Sequence, residues 1–285
     1  MQATRYHRKH RGMYQDGEVD ELIRSVIMQG KLVKFTVSGH KQPTRKKSQR
    51  GEVWGLSPTA RLRLLRQIAR VSWQELPSGQ FVTLTLPDER AATPYKILTM
   101  WRHHWMRDVE SRVGRQVPIL WRKEPIDRKS GIHTGKLVCH FHLSVFTERK
   151  LTEDFVTERW KTAMAWEGYS RNDVRPMKDG LHAALYAAKY MAKNDEDSIL
   201  VNLPYLTKPG RMWGWHRPEL IPYCHETTMS GITPETFREM LQTACCIRGK
   251  TLESDLEGQT CIGPIADAVK EAVLKIALDR EVNDC

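Results

Sequence analysis

The sequence predicts an α+β fold in which an antiparallel sheet is flanked by helices, with a C-terminal helical extension. Three observations predict it. Runs with β-branched content and alternation, such as QFVTLTLP at 80–87, interleave with stretches of helical period. Two of the strand runs, VPILWRKEP at 117–125 and KLVCHFHLSVF at 136–146, are separated only by the polar loop IDRKSGIHTG, so they form a hairpin. A chain of 285 residues with 40% apolar composition can bury a substantial core.

The elements follow in order. Ser57 and Pro58 supply an N-cap and a first-turn proline for a basic helix, PTARLRLLRQIARVSW, with Leu62, Leu65, Ile68 and Ala69 on one side and arginines on the other. After the strand at 80–87, Thr93 and Pro94 open a long helix through YKILTMWRHHWMRDVESRV. The hairpin comes next, then a helix at about 152–167, a short strand around NDVRPM, and the helix GLHAALYAAKYMAKN. The resulting order, β-α-β-β-α-β-α, is broadly ferredoxin-like. Beyond it, RMWGWHRPELIPY at 211–223 is aromatic-rich and basic, and Thr233-Pro234-Glu235 starts a further helix. IADAVKEAVLKIAL at 265–278 is amphipathic through Ile265, Val269, Ala272, Val273 and Ile276, which suits docking on the domain or pairing with a partner.

Charge divides the chain further. Residues 1–50 hold twelve Lys/Arg against four Asp/Glu, whereas residues 234–285 hold six against ten. We therefore expect a basic N-terminal arm and linker at 1–52, a folded domain at 53–225 and a helical extension at 226–285. The net charge of +11 favours a polyanionic partner such as nucleic acid, with an anionic membrane surface as the competing partner. No stretch approaches the roughly 18 apolar residues of a membrane span, and the basic MQATRYHRKHRG is not followed by the apolar core of a signal peptide. Six cysteines without a C-x-x-C pair exclude zinc-finger and disulfide-scaffold classes. SGIHTGK at 130–136 is one residue short of a phosphate-binding loop and lacks its final hydroxyl, which excludes a nucleotide-hydrolysing motor.

Two groups of residues carry chemistry. In a strand, His140 and His142 project from one face while Phe141 and Leu143 point to the other. Closing the hairpin near Ile132 pairs residues whose numbers sum to about 264, which sets Glu124 opposite His140. A His-His-Glu set suits a divalent ion such as Mn²⁺ or Mg²⁺, and Asp127 is the fallback carboxylate. In LYAAKYMAK, Tyr186 and Tyr190 share a helix face, with Lys189 beside them and Lys193 one turn on. A phenol can attack phosphorus when a cation activates the phosphate. Taken alone, tyrosines four apart among alanines also suit packing of a helix against a sheet.

A strand beginning FVTLTLP, a later strand with His-x-His and then a helix with Tyr-x-x-Lys-Tyr, in that order, resembles the HUH endonucleases. More closely it resembles the rolling-circle replication initiators of filamentous and other small single-stranded DNA phages and related plasmids. The matching residues are Phe81 to Leu86, His140-Phe141-His142 and Tyr186-Ala187-Ala188-Lys189-Tyr190. Gly210-Arg211-Met212-Trp213-Gly214 also resembles a segment that follows the tyrosine helix in such initiators, and the resemblance covers roughly residues 55–225. It implies an HUH nuclease palm, with His140 and His142 as metal ligands and Tyr186 as lead nucleophile. It further implies Lys189 as the phosphate-positioning lysine and Tyr190 as the second nucleophile. The family's acidic ligand usually lies nearer the histidine pair in sequence than Glu124 does here.

The expected activity is therefore a Mg²⁺- or Mn²⁺-dependent DNA nickase and strand transferase that forms a 5′-phosphotyrosyl intermediate at a replication origin. Lys193, Arg211 and Trp213 are candidate DNA contacts. The expected partners are single-stranded origin DNA and a host helicase and DNA polymerase, with no membrane, in the cytoplasm of a bacterial host. Two rivals share part of the pattern. A relaxase or single-strand transposase would use the same chemistry, and a non-catalytic nucleic-acid-binding module could share the architecture.

Overall fold

A computed structural model describes residues 23–38, 58–90, 93–127, 134–135, 137–179, 182–183, 186, 211–249, 260–262 and 265–283. It contains two antiparallel sheets flanked by helices, and a C-terminal helix.

The larger sheet has five strands. In chain order they are β3 (Gln80–Thr85), β4 (Ile119–Asp127), β5 (Leu137–Val145), β6 (Asp173–Pro176) and β7 (Trp213–His216). Their spatial order is β6-β3-β5-β4-β7. With β7 set aside, the strands of the βαββαβ unit lie in the order fourth, first, third, second, the arrangement expected of a ferredoxin-like split. Every β4–β5 pair, from Ile119 opposite Val145 to Asp127 opposite Leu137, has numbers that sum to 264, as the hairpin reading requires.

Period-two alternation gives this sheet two different faces. One presents Val82, Leu84, Ile119, Trp121, Phe141, Leu143 and Val145 to α2 (Tyr95–Val113) and α3 (Glu153–Ala163). The boundaries of α2 follow from Pro94, which cannot continue a helix backwards, and its inward residues Leu98, Trp101, Trp105 and Val109 keep the three- and four-residue spacing of one helical face. Thr152 caps α3, accepting from Phe155 N at 3.2 Å, with Glu153 and Asp154 in the first turn. The two fully buried indoles on this face are hydrogen-bonded: Trp105 donates to Val156 O and Trp160 to Thr85 O.

The second face is apolar at one end and polar at the other. The row Phe81, Ser144, Leu120 and Trp215 lies across adjacent strands, and Phe81 and Leu120 join one cluster with Leu64 and Ile68 of α1 (Pro58–Arg70). The structure corrects the expected face of α1. Leu62 is exposed and Leu64 fully buried, because the inward stripe runs Leu64, Ile68 and Val71. Two further rows follow on this face: Thr83, His142, Arg122 and Trp213, then Thr85, His140 and Glu124.

The smaller sheet corrects the expectation of a basic arm over 1–52. Ile23–Gln29 (β1) and Leu32–Ser38 (β2) form a hairpin, flanked by β8 (Glu226–Ser230) on β1 and β9 (Thr260–Ile262) on β2. Val26, Met28, Val33 and Phe35 face α4 (Pro234–Ile247) and α5 (Ile265–Asn283) in a core of their own. Both ends of the described chain thus build one sheet unit, so 226–285 is not a purely helical extension. In α5, Ala266, Val269 and Val273 are buried against this unit.

The two units meet where the β1–β2 turn reaches the C-terminal end of α1. Lys31 N donates to Ala69 O, Cys224 N donates to Arg70 O at 2.9 Å, and Gln29 accepts from Arg70 Nε and donates to Cys224 O. These bonds satisfy carbonyls that a helix end leaves open. Gly30 sits at φ +53°, and a Cβ there would come 2.5 Å from Ala69 O, so the close approach requires glycine.

Candidate active site

His142 is held from two sides. Its Nε2 lies 2.8 Å from Glu124 Oε2 and its Nδ1 lies 3.3 Å from Thr83 Oγ1. With no ion present a Glu124 carboxylate accepts from Nε2–H, while the Thr83 hydroxyl can serve Nδ1 as donor or acceptor. Glu124 is opposite His140 in register, but its carboxylate reaches diagonally to His142. The rings of His140 and His142 are 6.5 Å apart.

Arg122, fully buried beside His142 in the same row, places its guanidinium 4.0 Å from Glu124 Oε1. Two residues of this arrangement, Thr83 and Arg122, were not singled out from sequence. Both become visible once FVTLT and WRKE are written against HFH in the observed register, because each falls directly opposite His142.

The strand ends that carry the site are tied to α3. Thr85 N donates to Asn172 Oδ1 at 3.0 Å, and Asn172 Nδ2 donates to Thr157 Oγ1 at 3.1 Å. Thr85 O also accepts from Ser170 Oγ and from the Trp160 indole. Thr85 is the pairing partner of His140, so this network fixes the strand beside one histidine while Thr83 fixes the ring of the other.

Tyr186 is helical and half-buried, and its ring stacks on Phe81 with centroids 3.4 Å apart at 24°. His182 meets the same Phe81 edge-on at 5.9 Å. Phe81 shares a sheet face with Thr83, two residues along β3. The tyrosine is therefore packed against the sheet, as its spacing suggested, and packed on the face that bears the histidine pair. Lys189, Tyr190 and Lys193 lie outside the described residues, as does the side chain of Asp127.

Arg211 and Trp213 border this face. Trp213 stands opposite Arg122 in the β4–β7 ladder, and the exposed Arg211 leads into β7, its backbone N–H donating to Tyr95 Oη at 3.1 Å. On the far face, burial lowers the Lys123 ammonium to about 8 and the Arg102 guanidinium to about 10, and raises the Cys139 thiol to about 12. Arg102 stacks on Trp121 at 3.4 Å and Lys123 sits 4.2 Å over the Tyr95 ring, an aromatic lining that partly offsets the burial of two cations.

Whether the set can hold a divalent ion depends on donor spacing. An octahedral ion with ligands at about 2.1 Å keeps neighbouring donors about 3 Å apart. His142 Nε2 and Glu124 Oε2, at 2.8 Å, already match one such edge. His140 is wider: two imidazole arms of about 3.3 Å each span its separation from His142 only with the ion near the midpoint. Among the described residues no three His, Cys, Asp or Glu side chains converge as a metal site. Two of the three donors fit, and the third has to turn inward.

Comparison of the chain with family models, with curated proteins and with solved structures gave no match in any of the three. No helix among the described residues is long and apolar enough to cross a membrane.

Proposed function

We propose that this chain is a metal-dependent single-strand DNA nicking and joining enzyme that initiates rolling-circle replication. One observation carries the reading. Tyr186 is stacked on Phe81, on the sheet face that also presents His140, His142 and Glu124. A nucleophile and a set of cation donors on one face are what phosphoryl transfer to a tyrosine requires.

His142, His140 and Glu124 would hold the ion, which when bound would supply charge stabilisation at a phosphate oxygen. With Nε2 of His142 given to the ion, Nδ1–H would donate to Thr83 Oγ1 and so keep the ring oriented, and buried Arg122 lies next to the Glu124 carboxylate. The Tyr186 oxygen would form a bond to phosphorus as the bond from phosphorus to the 3′ oxygen breaks. The phenolic proton is lost to solvent and a proton is regained by the leaving 3′ oxygen. One phosphodiester replaces another, so the energy of the cut bond is kept for rejoining. Tyr190 would serve a second transfer, and a host helicase and polymerase would extend the free 3′ end.

A second reading has its own support. The direct His142–Glu124 hydrogen bond and the wide His140 ring also suit a non-catalytic ferredoxin-like module that binds nucleic acid.

The test is incubation of the protein with labelled single-stranded circles of its own replicon and Mn²⁺ or Mg²⁺, resolved on a denaturing gel. A metal-dependent, protein-linked 5′ end that is lost in Tyr186→Phe and His142→Ala is expected, and Tyr190→Phe then ranks the two tyrosines. Retarded but uncut DNA, unchanged by these substitutions, would establish the binding module instead. Metal binding has an independent readout: Glu124→Gln should weaken Mn²⁺ binding in a calorimetric titration by about 10- to 100-fold.

A further inference from the structure

The segment leading into β6 alternates between two environments. Ser170 and Asn172 are buried in the network that holds Thr85, whereas Tyr169 and Arg171 are exposed, Tyr169 at 80%. In β6 the alternation continues: Asp173 stands opposite Thr83 and Arg175 opposite Phe81, on the face of the histidine pair. Arg175 is paired with Asp173 at 2.7 Å, and the exposed Arg171 adds positive charge just before β6.

Tyr169 is exposed yet firmly mounted. The helix before it ends in a Schellman arrangement, with Ala165 N donating to Thr162 O and Trp166 N to Lys161 O, and with Ala165 at φ 47°. The Trp166 ring folds over Gly168, where a Cβ would come 2.4 Å from the indole. Arg90 lies 5.5 Å over that indole and donates to Ala165 O at 3.2 Å. Ser170 ties the other side to Thr85, the pairing partner of His140. An exposed aromatic ring adds little to folding, but on a fixed backbone it offers a stacking surface with little backbone entropy left to lose.

We propose that Tyr169 is a base-stacking platform, with Arg171 as the adjacent phosphate contact, for a single strand running along the β6 edge to the histidine pair. The inference rests on the preceding reading that the substrate is single-stranded DNA. Tyrosine offers a flat face that every base can stack on, and a neighbouring arginine matches the backbone charge, so the platform orders the strand without reading its sequence.

The test is binding of a fluorescein-labelled oligothymidylate by the full chain over a range of salt concentrations, for wild type, Tyr169→Ala, Tyr169→Phe and Arg171→Gln. Tyr169→Ala should weaken binding roughly tenfold with an unchanged salt slope, and Tyr169→Phe, which keeps the ring, should restore it. Arg171→Gln should reduce the slope by about 0.7. Equal affinity of Tyr169→Ala and wild type, or failure of the phenylalanine to rescue, overturns the proposal. The nicking gel keeps the two readings apart. Wild type that forms the protein-linked end while Tyr169→Ala binds like wild type removes only the platform. Tyr169-dependent binding without any protein-linked end removes only the enzyme.

Discussion

The stacking of Tyr186 on Phe81 can be tested by energy as well as by activity. Phe81 is buried among Leu64, Ile68 and Leu120, with the Tyr186 ring 3.4 Å from its own. Phe81→Leu keeps most of the side-chain volume, so lost apolar contact should cost about 1 kcal/mol. The aromatic pair adds about 0.5–1.5 kcal/mol beyond its buried area. The total, about 1.5–2.5 kcal/mol, corresponds to a fall in Tm of roughly 3–10 °C for a protein of this size. Combining Phe81→Leu with Tyr186→Leu in a denaturation cycle should reveal a coupling of about 0.5–1.5 kcal/mol, because the double variant has no ring pair left to lose. If the single costs simply add within about 0.3 kcal/mol, Phe81 does not hold the tyrosine and the argument for a prepositioned nucleophile fails. In the proposed nicking reaction the same substitution should slow adduct formation by about a hundredfold, the cost of displacing a nucleophile by about 1 Å.

Other expectations follow from individual contacts. Ala165→Gly relieves a left-handed residue and should raise stability by about 0.5–1 kcal/mol, read as a higher Tm. Gly30→Ala should open the junction between the two sheet units, seen as faster proteolysis between them, with a loss of about 1–3 kcal/mol. Burial raises the Glu110 carboxyl, but the hydrogen bonds from Arg217 and Val117 outweigh it and hold the group below its ordinary 4.5. A depressed carboxyl contributes stability above its unfolded pKa and loses it as pH falls through the folded one. Glu110→Gln should therefore flatten the dependence of Tm on pH below 4.5 and cost about 1–3 kcal/mol at neutral pH.

Much of the larger sheet was legible because its signals are local. Pro94 set the start of α2, and the hairpin loop between 126 and 135 set a register that brought Glu124 opposite His140. The smaller sheet was not legible for the same reason. IRSVIMQGKLVKFTVS does alternate around a Gly30 turn, yet its partners, ETTMS and TCI, lie some two hundred residues on and are too short to signal a strand. The counted charges of the first fifty residues then pointed to an arm. In α1, arginines at 61, 63 and 66 leave several apolar stripes possible, and only the tertiary contact of Leu64 selects one. At the candidate site the histidine face was readable from period two, whereas the roles of Thr83 and Arg122 depend on cross-strand neighbours on both sides of β5.

The smaller sheet also sets an order of events during synthesis. The β1–β2 hairpin leaves the ribosome before its partners, since β9 follows Ser38 by more than two hundred residues. At about 5–20 residues per second that is a wait on the order of ten to forty seconds. In that interval the five-stranded unit, contiguous in the chain, can complete itself, while Val26, Val33 and Phe35 lack the α4 and α5 surfaces that will cover them. The hairpin's apolar face is thus a liability of the nascent chain until those helices emerge, and a holding chaperone that binds short apolar strands would find its target in residues 23–38.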